Sequence, residues 1–434
     1  MKYRSTHGSA PLASLSEAIA LGLAPDGGLY VPEVWPSLER SPAAADLTLP
    51  QLAAQVLKPF FAEDTLATEL GVISTEAFNF PVPLTRLVNA QGTAAVLELF
   101  HGPTAAFKDF GARFLAACFA RLRRSPGRKL TMLVATSGDT GGAVAAAFHR
   151  RPGIDVVVLY PRGRVSKRQE QQLTCWGENV RALSVRGTFD DCQRLVKEAF
   201  VDPTLSQARE FSSANSINVG RLLPQTLYYA AASLAMQRRH GAQASFIVPA
   251  GNLGNALGCV WARKLGFPIG EIVLAHNANR TVPDYLATGE YRPRPSIATL
   301  ASAMDVGNPS NMERLRAFEP DWSKLRTQVS AWSVSDAEIR EQIRGDYARY
   351  QRIWCPHTAT AARVYDLLAP ERRARGPWVI VATAHPAKFD TIVEPLIGHA
   401  VEVPPELASL LGLPARSTEI GARLDELRPL LMDS

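Results

Sequence analysis

Leu130-Thr131-Met132-Leu133-Val134-Ala135-Thr136-Ser137-Gly138-Asp139-Thr140-Gly141-Gly142 runs from an almost unbroken apolar stretch into a glycine-rich turn. A short apolar run bounded by a turn reads as a strand buried on both faces. A helix candidate follows it to about Phe148. The same construction recurs downstream. Ser245 to Val248 reads as a strand, and Pro249-Ala250-Gly251-Asn252-Leu253-Gly254-Asn255 leads into a helix reaching about Lys264. Around these two units, Ala94 to Leu99, Asp155 to Leu159, Val180 to Val185, Ile272 to Ala275 and Trp378 to Val381 read as strands. Phe110 to Leu122 and Asp190 to Phe200 read as helices. Strands alternating with helices predict an α/β fold of mostly parallel sheets flanked by helices, with ligands at the carboxyl ends of the strands.

Each glycine turn delivers unpaired backbone N–H groups to a helix N-terminus, where the dipole favours an anion. Glycines also make tight turns with no ligand at all, so the loops alone do not name an anion. Neither is a phosphate-binding Walker loop, because no Gly-Lys-Ser/Thr follows. Gly251, Gly254 and Gly258 give G-x-x-G-x-x-x-G rather than the dinucleotide fingerprint.

A third stretch carries a lysine in an apolar setting: Glu98-Leu99-Phe100-His101-Gly102-Pro103-Thr104-Ala105-Ala106-Phe107-Lys108-Asp109-Phe110-Gly111. Desolvation between two phenylalanines lowers an amine's pKa and frees it as a nucleophile. The plainer reading is a lysine snorkelling from an apolar helix face. Candidates for amine chemistry are few, since only nine of the 47 Lys and Arg residues are lysines.

The chain has 434 residues, 46% hydrophobic and 20% charged, ordinary for a globular protein of two to three domains. Its net charge of +6 is spread over clusters at Arg121 to Lys129, Arg162 to Arg168 and Arg372 to Arg375. They lack interleaved aromatics, which argues against nucleic-acid binding. No apolar run is long enough to span a bilayer. No apolar segment follows the charged N-terminus, so a cytoplasmic protein is expected. The five cysteines form no C-x-x-C pair, and buried thiols are expected rather than a zinc site. Near the N-terminus, Ser14 and Glu17 have capping-box spacing ahead of a helix ending at Leu21. A mostly helical N-terminal region is expected to about residue 93. Beyond it we expect a large α/β domain (94–111 and 216–434) interrupted by a small one (112–215).

The run His101-Gly102-Pro103-Thr104 with Phe107-Lys108-Asp109 resembles the cofactor-lysine segment of the threonine synthases. The resemblance continues at Ala135 to Gly141, Ser213 to Asn218, Gly251 to Asn255, Ser302 to Asn311 and Thr383 to Phe389, and at Tyr3 to Thr6 and Gly22 to Pro32. It covers nearly the whole chain in order. It implies the tryptophan-synthase-β-like fold (fold type II), bound pyridoxal 5′-phosphate (PLP), and conversion of O-phospho-L-homoserine and water to L-threonine and phosphate. By the same resemblance, Lys108 carries PLP as a Schiff base. Gly251, Asn252, Leu253, Gly254 and Asn255 cup its phosphate, and Thr383 meets the pyridine nitrogen. Ser137, Asp139 and Thr140 lie near the substrate carboxylate and cofactor ring. Leu253 and Asn255 depart from the Phe and Asp of many relatives. An asparagine there removes a negative charge beside a phosphate.

Arg162 ends a strand, and we expect it to grip the substrate phosphate, with Asn218 adding a neutral donor. Monomer and homodimer both remain open. Rival readings are a lyase releasing 2-oxobutyrate, a serine or threonine dehydratase, an inactive binding module on the same fold, and a nicotinamide oxidoreductase.

Overall fold

The structure is a computed structural model describing residues 1–38, 46–87, 94–122 and 129–432. Part of the proline-rich loop after Val34, most of the Arg121 to Lys129 cluster and the expected boundary at 93 lie outside the described residues.

Thirteen strands form three sheets among the described residues. In chain order they are β1 (Tyr3–Ser5), β2 (Tyr30–Pro32), β3 (Leu84–Arg86), β4 (Ala94–Glu98), β5 (Leu130–Ala135), β6 (Ile154–Pro161), β7 (Val180–Arg186), β8 (Glu210–Ser212), β9 (Ala244–Pro249), β10 (Ile269–His276), β11 (Val329–Ser333), β12 (Trp378–Ala382) and β13 (Thr418–Gly421). One sheet has the order β11-β10-β9-β12-β4-β3, parallel except for edge strand β3. The second, β13-β7-β6-β5-β8, is parallel throughout. Every residue of β5 and of β12 is buried, the continuous apolar pattern of strands covered on both faces.

Helices of the N-terminal region, among them Leu15–Leu21 and Leu49–Leu57, are accompanied by the antiparallel pair β1–β2, and β3 joins the six-stranded sheet. One expectation needs correction, and it concerns the C-terminus. β13 and the helix Leu424–Met432 pack on the five-stranded sheet, where Ile420, Leu427 and Leu431 share a core with Leu133, Leu159 and Leu183. The smaller unit therefore takes a segment from beyond 112–215. The Ser14–Glu17 capping box forms as read. All five cysteines are buried, and no helix among the described residues is long and apolar enough to cross a membrane.

Candidate active site

Four loops leave the carboxyl ends of β4, β5, β9 and β12 and converge on one cavity. Lys108, Asp139, Thr140, the loop from Gly251 to Asn255, and Thr383 lie on its wall. Ser137, just upstream of Asp139, does not.

The Lys108 loop is laced to the segment after β12 by its backbone. Leu99 N–H donates to Ala382 O, Phe107 N–H to Thr383 O, and His385 N–H to Ala105 O, at 2.9, 2.9 and 3.0 Å. Lys108 thus begins the helix Lys108–Phe119 in fixed register with Thr383. Its Nζ stands 4.3 Å from the Phe107 ring centroid. Desolvation, reinforced by the Arg221 charge and opposed by Asp139, lowers the amine to about 8. At neutral pH a useful fraction is unprotonated.

Asp139 opens the helix Asp139–Phe148. Burial works to raise its carboxyl. Lys388 and His357, with hydrogen bonds from Lys388 and Gln169, outweigh that and hold it below the ordinary value. Lys388 Nζ is fully buried, 2.8 Å from Asp139 Oδ1, and donates to Thr104 O at 2.7 Å. One ammonium therefore ties a loop of the five-stranded sheet to the Lys108 loop.

In the loop after β9, Gly251 passes so close to the Ser302–Met304 turn that an added Cβ would lie 2.7 Å from Met304 Cα. The left-handed residue is not Gly251 but Leu253, at φ 62°. Gly254 then begins an eleven-residue helix, Gly254–Lys264. Asn255 Oδ1 accepts hydrogen bonds from Tyr228 and Tyr229 at 2.7 and 2.8 Å. These hydroxyls fix the amide's orientation and leave its buried NH2 group without a partner among the described residues. Asn252, by contrast, spends its side chain on Ser216 and Ser310.

Two expected phosphate ligands are elsewhere. Arg162 is 59% exposed and pairs with Glu419 at 2.9 Å, away from the cavity. Arg162 follows β6, its N–H donates to Val185 O of β7, and its guanidinium meets Glu419 of edge strand β13, a neighbour that the sequence order of the strands does not reveal. Asn218 is fully buried and caps the helix Val219–Leu222. Its amide donates to Ile19 O and Ser213 O and accepts from Gly220 N–H, so no donor is left over.

Arg221, which sequence reading passed over, is an arginine that the structure does bring to the cavity. It lines the cavity, is 2% exposed, and among the described residues makes no ion pair with a carboxylate. One guanidinium nitrogen donates to Ala214 O, and Nε has no partner among the described residues. Desolvation lowers it to about 10. A lone arginine at the head of the apolar run from Leu222 was the available signal. His357, from Cys355-Pro356-His357-Thr358, also lines the cavity; there the signal was proline at the first position of a helix.

Among the described residues the cavity thus sets Lys108 and Arg221 against the single lining carboxylate Asp139, which is paired with Lys388, and carries the unpaired Asn255 amide beside a helix N-terminus. That donor set fits a phosphate. With an amine of lowered pKa opposite, it fits an aldehyde bearing a phosphate, which is PLP. Fold and site together define a PLP-dependent enzyme of fold type II.

Comparison with known proteins agrees. The pyridoxal-phosphate dependent enzyme family model matches residues 75–384, and the threonine synthase N-terminal and C-terminal models match 2–78 and 358–430. The threonine synthase of Haemophilus influenzae is 38% identical over 423 residues, 97% of each chain. The crystal structure of threonine synthase from Escherichia coli superposes with a TM-score of 0.91 at 35% identity, covering 100% of both chains. The PLP-bound threonine synthase from Brucella melitensis gives 0.89 at 33%, covering 100% of this chain and 99% of that one. The chain belongs to the threonine synthase family.

Proposed function

We propose that this protein converts O-phospho-L-homoserine and water to L-threonine and phosphate in the cytoplasm, with Lys108 as the cofactor lysine. The observation that supports this reading is the pairing of a lowered-pKa amine with a helix N-terminus and the unpartnered Asn255 amide on one cavity. Bound PLP supplies an aldehyde for amines and a conjugated ring that takes up the electron pair left when Cα–H breaks. Backbone N–H groups of Gly251 to Asn255 and the Asn255 amide would hold its phosphate. Thr383 would offer the pyridine nitrogen a hydroxyl, which cannot keep that nitrogen protonated as a carboxylate would. Lys108 would be the amine placed to move protons between Cα and Cβ. Asp139 and Thr140 border the substrate carboxylate, with Asp139 kept ionised by Lys388. Borohydride reduction and peptide mapping of the holoenzyme test the assignment. The pyridoxyl label should fall on the Lys108 peptide, and label on Lys388 would refute it.

Arg221 replaces Arg162 as the cation for the substrate phosphate. Losing a charge-assisted hydrogen bond costs roughly 1.5–3 kcal/mol, or about 10- to 150-fold in kcat/KM. Arg221→Gln should show that loss with phosphohomoserine. Arg162→Ala should stay within about twofold of wild type, as befits an exposed ion pair. The reverse ranking would return the phosphate to Arg162. Threonine and inorganic phosphate should form in equal amounts; 2-oxobutyrate in place of threonine would indicate the lyase.

A further inference from the structure

The first turn of the helix Pro356–Leu367 brings His357 to the cavity with one ring nitrogen unaccounted for. The ring is 3% exposed and packs against Phe389, centroids 4.9 Å apart. Its Nε2 accepts the Ala303 N–H at 3.0 Å. A nitrogen that accepts carries no hydrogen, so a neutral imidazole held this way has its proton on Nδ1. Turning the ring over would break the Ala303 contact, which fixes the orientation. Burial, with Lys108 and Lys388 against Asp139, pushes the imidazole down to about 4 and keeps it neutral at physiological pH. Nδ1–H is therefore a buried donor with no partner among the described residues. Leaving such a donor unpaired is costly, and the group that can satisfy it is whatever fills the cavity.

We propose that His357 is a catalytic residue whose neutral Nδ1–H donates a hydrogen bond to an acceptor oxygen of the cavity's occupant. The assignment rests on the PLP reading above. It gives the two ring nitrogens separate duties. Nε2 braces the Ser302–Met304 turn, against which Gly251 of the phosphate loop packs. Nδ1 serves the ligand. Because Nδ1 offers a proton and no lone pair, His357 orients and stabilises an oxygen and does not act as the base. The acceptor is an oxygen of the cofactor or of the substrate, and the two are separable by experiment.

Asparagine and glutamine divide the duties. The amide nitrogen of asparagine falls close to the position of Nδ1. The amide oxygen of glutamine falls close to Nε2 and can still accept from Ala303. If the donor matters, His357→Gln should keep near-wild-type melting temperature and PLP affinity yet lose about 10- to 100-fold in kcat. His357→Asn should retain roughly tenfold more kcat than the Gln variant. A Gln variant as active as wild type, or more active than the Asn variant, would overturn the proposal, since only the brace would then count. Should either variant fail to fold, wild-type protein labelled with 15N-histidine gives a second answer. The Nδ1–H resonance should shift when PLP alone is added to the apoenzyme if the acceptor belongs to the cofactor, or only with phosphohomoserine if it belongs to the substrate. No shift in either case would overturn the assignment. Failure of the wild type to bind PLP would instead remove the functional reading on which it stands.

Discussion

Replacing Lys388 by methionine should destabilise the protein by about 3–5 kcal/mol at neutral pH, the cost of leaving a buried charge without its partner. Lys388 is fully buried, and its ammonium joins Asp139 Oδ1 at 2.8 Å to the Thr104 carbonyl at 2.7 Å. The pH dependence follows from Asp139, whose carboxyl is held below its ordinary value. In the wild type its contribution is fully present above the unfolded carboxylate pKa of about 4 and is lost as pH falls through the lowered folded value. Without Lys388, burial raises the same carboxyl, and protonation relieves it. The gap between wild type and variant should therefore be widest at neutral pH and shrink in acid. Urea unfolding of the two proteins at neutral and mildly acidic pH measures it. The double variant with Asp139→Asn should recover part of the loss. A gap below about 1 kcal/mol, the range of exposed pairs, or one that widens in acid, would mean that the ion pair does not hold the two loops together.

Gly251→Val should lower PLP affinity by two orders of magnitude or more. An added Cβ would stand 2.7 Å from Met304 Cα and 3.2 Å from Ala303 O, both backbone atoms that cannot swing aside. The loop must move, and its N–H groups move with it. Each charge-assisted hydrogen bond lost costs roughly 1.5–3 kcal/mol, so losing two is enough. The reason differs from the one the sequence suggested, because Gly251 needs space rather than a left-handed backbone; Leu253 carries that conformation. Titration of the apoenzyme with PLP, followed by absorbance, gives the affinity. Wild-type affinity in the variant would show that the loop holds something other than the cofactor phosphate.

The central strands were legible because burial on both faces demands continuous apolar residues. Leu130–Ala135 was read with the bounds observed, and Trp378–Ala382 within a residue. The edge strands Leu84–Arg86, Val329–Ser333 and Thr418–Gly421 were not. They are short or partly exposed, and a half-covered strand of three to five residues has no pattern that separates it from a loop. Missing the last of these misplaced the C-terminus and left Arg162 unpaired on paper, whereas Glu419 meets it in the fold.

Local sequence by itself determined the alternation of strands and helices, the two glycine turns at helix N-termini and, through its resemblance to the threonine synthases, the family and its cofactor. These depend on neighbours within a few residues: apolar runs, capping spacing, and glycine where backbone must come close. Tertiary structure alone decided which charges are paired. Lys388 and Asp139 are 249 positions apart yet form one buried ion pair, while Arg162 and Glu419 form an exposed one. It also decided that Asn218 is spent on a helix cap, that Arg221 has no carboxylate partner among the described residues, and that His357 comes to the cavity with one ring nitrogen unpaired among them. A side chain's pairing is a property of the space around it, and chain packing brings that space together from segments whose separation no local pattern records.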